Sequence, residues 1–178
     1  MSKGKKNADI LVATVDATLC IKLEGRANFA SSIDFKRLIN EMHGQGIKRF
    51  IVDLAACQIM DSTFLGMLAG LGRRLSSEDL PPEQRPIRLL NPTERVADLI
   101  DNLGVSNLFH IGQCENGKIV DYKESYESGE ETSKLEMSRA CLEAHQVLMD
   151  LNPENVAKFK DVAKYFEEEV KKGESVAS

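Results

Sequence analysis

Apolar positions along the chain follow two rhythms, one of period two and one of period 3.6. Residues 10–15 and 19–23 are short strand-like runs in which Val12, Cys20, Ile21 and Leu23 supply the apolar faces. Asp16-Ala17-Thr18 between them reads as a tight turn, so the pair is predicted to be an antiparallel hairpin. The rhythm then changes. Phe35, Leu38, Ile39 and Met42 stand at i, i+3, i+4 and i+7, which predicts a helix over Ser31–His43 with Ser31 or Ser32 as its cap and Gly44 and Gly46 at its end. Phe50, Ile51, Val52 and Leu54 make a buried strand, and Leu65, Leu68, Gly72 and Leu75 form one face of the helix that follows it. A polar, proline-rich loop over 76–86 is placed on the surface. Ile87–Leu90 is the next strand, so strand, helix and strand form a βαβ unit with parallel pairing and a right-handed crossover. Asn91 as cap, Pro92 at the first helical position and Glu94 predict a helix whose stripe is Val96, Leu99, Ile100 and Leu103, stopped at Gly104. Leu108–Ile111 adds a short last strand. These elements define an α/β domain over residues 8–114, a small mixed β-sheet with helices packed against it.

Residues 115–131 lose this periodicity and are rich in charge, Ser, Gly and Tyr, which predicts a linker with one short strand around Ile119-Val120. A two-helix extension over 132–173 follows. Met137, Ala140, Cys141, Ala144, Val147, Leu148 and Leu151 form the stripe of the first helix, and Asn152-Pro153 breaks it. Val156, Phe159, Ala163, Phe166 and Val170 keep a heptad-like seam in the second. Glu167-Glu168-Glu169 reads as a solvated face, and the final residues GESVAS as a frayed end. The same stripes serve a hairpin folded on the domain or a homodimer through the C-terminal helices.

Charge and composition narrow the function. The net charge of −5 over 178 residues speaks against a nucleic-acid partner, which needs a basic face. The basic start MSKGKKN has no apolar run behind it, and no stretch is long enough to span a membrane, so neither a signal peptide nor membrane insertion is expected and a cytoplasmic location is. Cys20, Cys57, Cys114 and Cys141 are scattered, which predicts four buried reduced thiols. His43, His110 and His145 have no metal-ligand spacing, and neither a metal nor a cofactor is expected. No G-x-S-x-G elbow surrounds a serine, so an esterase or nucleotide-processing enzyme is the weaker class. Gly66 and Gly70, inside a helix pattern, predict close packing of that helix against the sheet.

The chemistry concentrates at Asp61-Ser62-Thr63, where the second helix should start. Hydroxyls there sit beside unpaired backbone N–H groups and the positive end of the helix dipole, a place that suits a capping serine worth about 1 kcal/mol and also suits a phosphate. Asp61 either orients Ser62 or contacts a partner, or else favours the helix start by its charge; Thr63 is a candidate second acceptor or a structural residue. Phe64 is core, or a partner contact if it is exposed.

A strand ending in VDL, a short loop and then IMDSTFLGMLAGL resembles the STAS domain of bacterial anti-sigma-factor antagonists, over about residues Ile10 to Ile111. Gly25, where the family ends its second strand, supports the match. The family pattern D-S-[ST]-G-L-G reads D-S-T-F-L-G here, with Phe64 in place of the first glycine. The resemblance implies a phosphorylation-switched binding protein. Ser62 would be the switch, with Asp61, Ser62, Thr63 and Phe64 meeting the partner. That partner would be an anti-sigma factor serine kinase, sequestered while Ser62 is unphosphorylated, and a protein phosphatase would reset the switch. A STAS adaptor subunit of another signalling complex or of a membrane transporter is the alternative.

Overall fold

The computed structural model describes residues 7–76, 80–114 and 120–177. Its centre is a mixed sheet built from β1 (Asp9–Val15), β2 (Thr18–Ala27), β3 (Arg49–Asp53), β4 (Cys57–Met60), β5 (Ile87–Leu90), β6 (His110–Gly112) and β7 (Glu124–Ser125). The order across it is β6-β5-β3-β2-β1-β7, with β4 paired separately to β2. β1 is antiparallel to β2 and β7, whereas β2-β3, β3-β5 and β5-β6 are parallel. The helices are α1 (Phe29–Gly44), α2 (Ser62–Leu75), α3 (Glu94–Asn102), α4 (Lys134–Leu151) and α5 (Glu154–Ala177). Among the described residues no helix is long and apolar enough to cross a membrane.

The period-two pattern explains the core. Leu19, Ile21 and Leu23 of β2, Phe50 and Val52 of β3, and Ile87 and Leu89 of β5 are all buried, and the register sets Leu19 beside Phe50 and Ile21 beside Val52. Intervening residues such as Arg49, Ile51, Lys22 and Arg88 are less buried. Against the buried face pack Phe35, Leu38 and Ile39 of α1, Phe64, Leu65 and Leu68 of α2, and Val96 and Ile100 of α3. The first hairpin closes through Asp16 and Ala17, whose φ values of 48° and 62° are the two positive angles of a two-residue turn suited to strand twist.

Several local details depart from the sequence reading. β2 does not stop at Gly25. A bulge there, with φ +99° and its N–H donated to the Ala56 carbonyl at 2.9 Å, lets the strand continue and pair with β4. β4 itself is unannounced because its burial does not alternate. α1 is capped by Asn28, with Ser31 as the reciprocal partner of a capping box rather than the cap. Thr93, not Asn91, caps α3; Asn91 still donates to the Gly112 carbonyl of the sheet edge and takes φ 52°. The last domain strand is shorter than expected, because Ser106–Leu108 form a 3-10 turn before His110. Beyond the domain, the short strand is Glu124–Ser125 on the edge of β1; Val120 has no regular structure, and Ile119 lies outside the described residues. Cys20, Cys57 and Cys141 are buried, whereas Cys114 is exposed.

The extension also differs from its forecast. GESVAS is not frayed as a unit, because α5 runs through to Ala177. Glu174 meets Arg139 of α4 at 2.9 Å, and Gly173 lies so close to Leu135 that an added Cβ would come within 2.7 Å of it. Val156 is 43% exposed, because Asn155 takes the inward position. The Asn155 side chain, fully buried, donates to the carbonyls of Leu103 and Leu148, each at 2.9 Å, and fastens the turn between α4 and α5 to the end of α3.

Candidate functional site

β4 delivers the chain to Asp61, whose N–H donates to the Ala27 carbonyl at the end of β2. Asp61 is the N-cap of α2. Its Oδ1 accepts the Phe64 N–H at 2.8 Å and its Oδ2 accepts the Phe29 N–H at 2.9 Å. One carboxylate therefore holds the starts of α2 and α1 together, facing the positive ends of both. The cap forecast for a serine is thus supplied by the aspartate, and Ser62 is the first residue inside the helix.

Burial raises the Asp61 carboxyl above its ordinary value, and the N–H groups of Phe64 and Phe29 offset that only in part. A carboxyl raised on folding binds its proton more tightly in the folded state. Its contribution is most favourable at acid pH, and it declines as pH rises from the ordinary carboxylate value through the folded one. Urea unfolding across this window should therefore show Asp61→Asn losing less stability with rising pH than the parent chain does. Equal slopes for the two would contradict the assignment.

Ser62 does not cap; its hydroxyl is committed elsewhere. Oγ lies 2.9 Å from Nε2 of His145 on α4. Nδ1 of the same ring is 2.6 Å from the Cys141 carbonyl, which can only accept, so Nδ1 carries a proton. In the neutral ring Nε2 is then the acceptor and the Ser62 hydroxyl the donor. His145 is 3% exposed, with its ring 5.0 Å from that of Phe159 and nearly parallel to that of Phe166. Thr63 is buried, and its hydroxyl lies 3.9 Å from the Cys141 thiol. Phe64 is fully buried edge-on to Phe35, with ring centres 5.3 Å apart, so it is a core residue with no surface for a partner to touch in this conformation.

The four residues singled out in the sequence thus share one helix start but face different neighbours. Asp61 ties backbone to backbone, Ser62 meets α4, Thr63 is covered by α4 and Phe64 fills the core. The helix packing expected of Gly66 and Gly70 is also redirected. A Cβ on Gly66 would stand 2.4 Å from the Ala144 carbonyl oxygen, and one on Gly70 would stand 3.5 Å from Val147. These glycines admit α4, not the sheet. The pairing of His145 with Ser62 escaped the sequence reading because the two lie far apart in sequence. The one signal of His145 was position: four residues after Cys141 and beside Ala144, it is a polar residue inside the apolar stripe, and a buried polar group requires a partner. Among the described residues there is no group of three or more His, Cys, Asp or Glu placed to hold a metal ion.

The STAS domain family model matches residues 9–116, which span every strand from β1 to β6 and the start of α2 with Ser62. The chain belongs to the STAS domain family. Curated relatives include the anti-sigma-B factor antagonist of Staphylococcus epidermidis, 26% identical over 60% of this chain and 94% of that protein. That of Staphylococcus aureus strain NCTC 8325 is 23% identical over the same shares. Among solved structures, SpoIIAA, an anti-sigma factor antagonist, in its unphosphorylated form superposes with a TM-score of 0.50 at 19% identity, over 60% of this chain and 89% of that one. A candidate anti-sigma factor antagonist from Thermotoga maritima gives 0.51 at 17% identity, over 58% and 85%. These likenesses establish the STAS fold for β1–β6 and α1–α3. The helices α4 and α5 lie outside the residues matched by the family model.

Proposed function

We propose that this STAS protein is an anti-sigma-factor antagonist, a binding protein whose affinity for an anti-sigma factor serine kinase is set by phosphorylation of Ser62. The observation that carries the reading is the placement of Ser62. It directly follows the aspartate that caps α2, it is only half-buried, and its hydroxyl stands at the positive end of the helix. Thr63 beside it is buried, which favours Ser62 as the acceptor. In the transfer, Ser62 Oγ attacks the γ-phosphorus of ATP held by the kinase. The new O–P bond forms as the bond to the ADP oxygen breaks, and the hydroxyl proton leaves to a base of the kinase. The phosphate brings about −1.5 to −2 charges. A partner surface shaped for a neutral hydroxyl would be repelled, and the complex would separate without refolding the domain. A phosphatase would reverse the step by hydrolysis.

The test is intact-mass measurement and phosphosite mapping of the protein isolated from its own organism, beside Ser62→Ala, followed by incubation with ATP and the anti-sigma kinase of that organism. One phosphate on Ser62, absent in Ser62→Ala, together with loss of kinase binding on modification, is the expected result. A Ser62 that stays unmodified, with no association between the two proteins, would overturn the reading.

A further inference from the structure

The face of α2 that carries Ser62 is already occupied by the chain's own α4. Ser62 meets His145, Thr63 meets Cys141, Gly66 meets Ala144, Gly70 meets Val147, and Arg73 lies 3.9 Å from Asp150. The contact positions rise together from Gly66 to Arg73, so α4 runs beside α2 in the same direction. We propose that α4 is a liftable cover on the Ser62 face, an intramolecular occupant of the surface that a partner needs, and that Ser62, half-exposed at the rim with its hydroxyl held by His145, is modified faster when α4 is displaced. This rests on the function proposed for Ser62.

Three features separate this contact from an ordinary core. First, it is built from small side chains and carries buried polar groups among its apolar ones. Thr63, Ser138 and His145 are buried in or beside it, and the close approach is made at Gly66 against Ala144. Contacts of this kind resemble interfaces that come apart more than hydrophobic cores do. Second, a solvent-open cleft of about 330 Å³ runs between α1, α2 and α4, lined by Ser32, Lys36, Met67, Arg74 and Glu143 among others. Third, the outer edge is held by ion pairs, Lys36–Glu143 at 3.1 Å and Arg37–Glu136 at 2.6 Å. The exposed Lys36–Glu143 pair adds little to stability, whereas Arg37, mostly buried among Asp34, Glu130 and Glu136, is the firmer tie. By contrast, the far end of α4 is firmly held, since Leu148 is fully buried and Asn155 bonds to Leu103. That end is placed to act as the hinge, and α5, joined to α4 by Arg139–Glu174 and Lys134–Glu169, would travel with it.

The seated His145 of α4 and a phosphate on Ser62 compete for the same place. Oγ lies 2.9 Å from Nε2 of His145, so a phosphoryl group set along the present direction of the hydroxyl would overlap the ring, and the ring must give way to it. Since the coupling is reciprocal, a closed cover opposes phosphorylation and phosphorylation opposes closure.

The chain carries its own reporter. Cys141 is buried under Thr63 at the cover, whereas Cys57 is buried in the sheet and shares the core with β2 and β3. The experiment is maleimide labelling of the full chain under native conditions with peptide mapping, repeated on Ala144→Leu, which enlarges α4 at its contact with Gly66. In parallel, the kinetics of Ser62 phosphorylation by the anti-sigma kinase with ATP are followed for both proteins. The expected result is Cys141 labelling about tenfold or more ahead of Cys57, as for a local opening well below the global unfolding energy. Ala144→Leu should label faster still at Cys141 and be phosphorylated faster at Ser62. Labelling of Cys141 in step with Cys57, or measurable phosphorylation of Ser62 at equal rates in the two proteins, would overturn the cover. Early Cys141 labelling with a Ser62 inert in both proteins would support the cover and overturn the phosphorylation switch.

Discussion

A Phe64→Ala chain is expected to lose about 3–5 kcal/mol of stability, the range for removing a buried aromatic side chain. That is a large share of the roughly 5–15 kcal/mol that holds a typical domain folded. The effect is large for two reasons. Phe64 is fully buried, and it meets Phe35 edge to face with ring centres 5.3 Å apart, so the substitution removes transfer energy, leaves a cavity and breaks an aromatic pair. Phe35 belongs to α1 and Phe64 to α2, the two helices that Asp61 also joins, so the loss falls on the junction that positions Ser62. Phe64→Leu keeps most of the volume and should lose roughly a third as much. Urea unfolding followed by circular dichroism would measure both, with the slope of the transition unchanged if the folded state is preserved. A loss below about 1 kcal/mol for Phe64→Ala would mean that the site collapses and that Phe64 is not the keystone of the α1–α2 contact.

Gly66→Ala should loosen α4, whereas Gly70→Ala should be tolerated. Inside a helix, glycine is about 1 kcal/mol less favourable than alanine, so propensity alone predicts that both changes stabilise. The tertiary contacts separate them. The new Cβ at position 66 would stand 2.4 Å from the Ala144 carbonyl oxygen and 2.8 Å from its carbon, both backbone atoms that cannot rotate aside. At position 70 the nearest atom is a Val147 methyl at 3.5 Å, an ordinary contact. Overpacking of this kind costs about 1–3 kcal/mol, enough to outweigh the propensity gain at Gly66 and not called upon at Gly70. Amide hydrogen exchange should show faster exchange confined to α4 and α5 in Gly66→Ala and slower or unchanged exchange in Gly70→Ala. Matching behaviour of the two variants would show that α4 does not sit on Gly66 in solution.

Much of the fold was legible in the chain because its determinants are local. The alternation Leu19, Ile21, Leu23 and Phe50, Val52 announces strands with one buried face, and the spacing of Phe35, Leu38 and Ile39 announces α1. Details that depend on a second segment were not legible. The choice of Asn28 over Ser31 as cap, and of Thr93 over Asn91, follows from where the sheet releases the chain. β4 exists because the bulge at Gly25 presents backbone groups to it. The site divided in the same way. Asp61 and Ser62 were visible as a polar start to an apolar helix, and the resemblance to STAS antagonists rests on that run.

The sequence by itself determined a mixed α/β sheet with packed helices, the position of Ser62 at the start of α2 and the presence of two amphipathic helices after the domain, since period and capping chemistry are carried by neighbouring residues; the STAS assignment rested on resemblance. Only the tertiary structure decided what those helices bury. An apolar stripe states that a face must be covered and not by which surface, so nothing local distinguishes a sheet, a second copy or α2 as its cover. The approach of Ala144 to Gly66 and of His145 to Ser62 settled that choice, because a glycine admits a helix backbone only where one arrives, and a buried imidazole must find its hydrogen-bond partner.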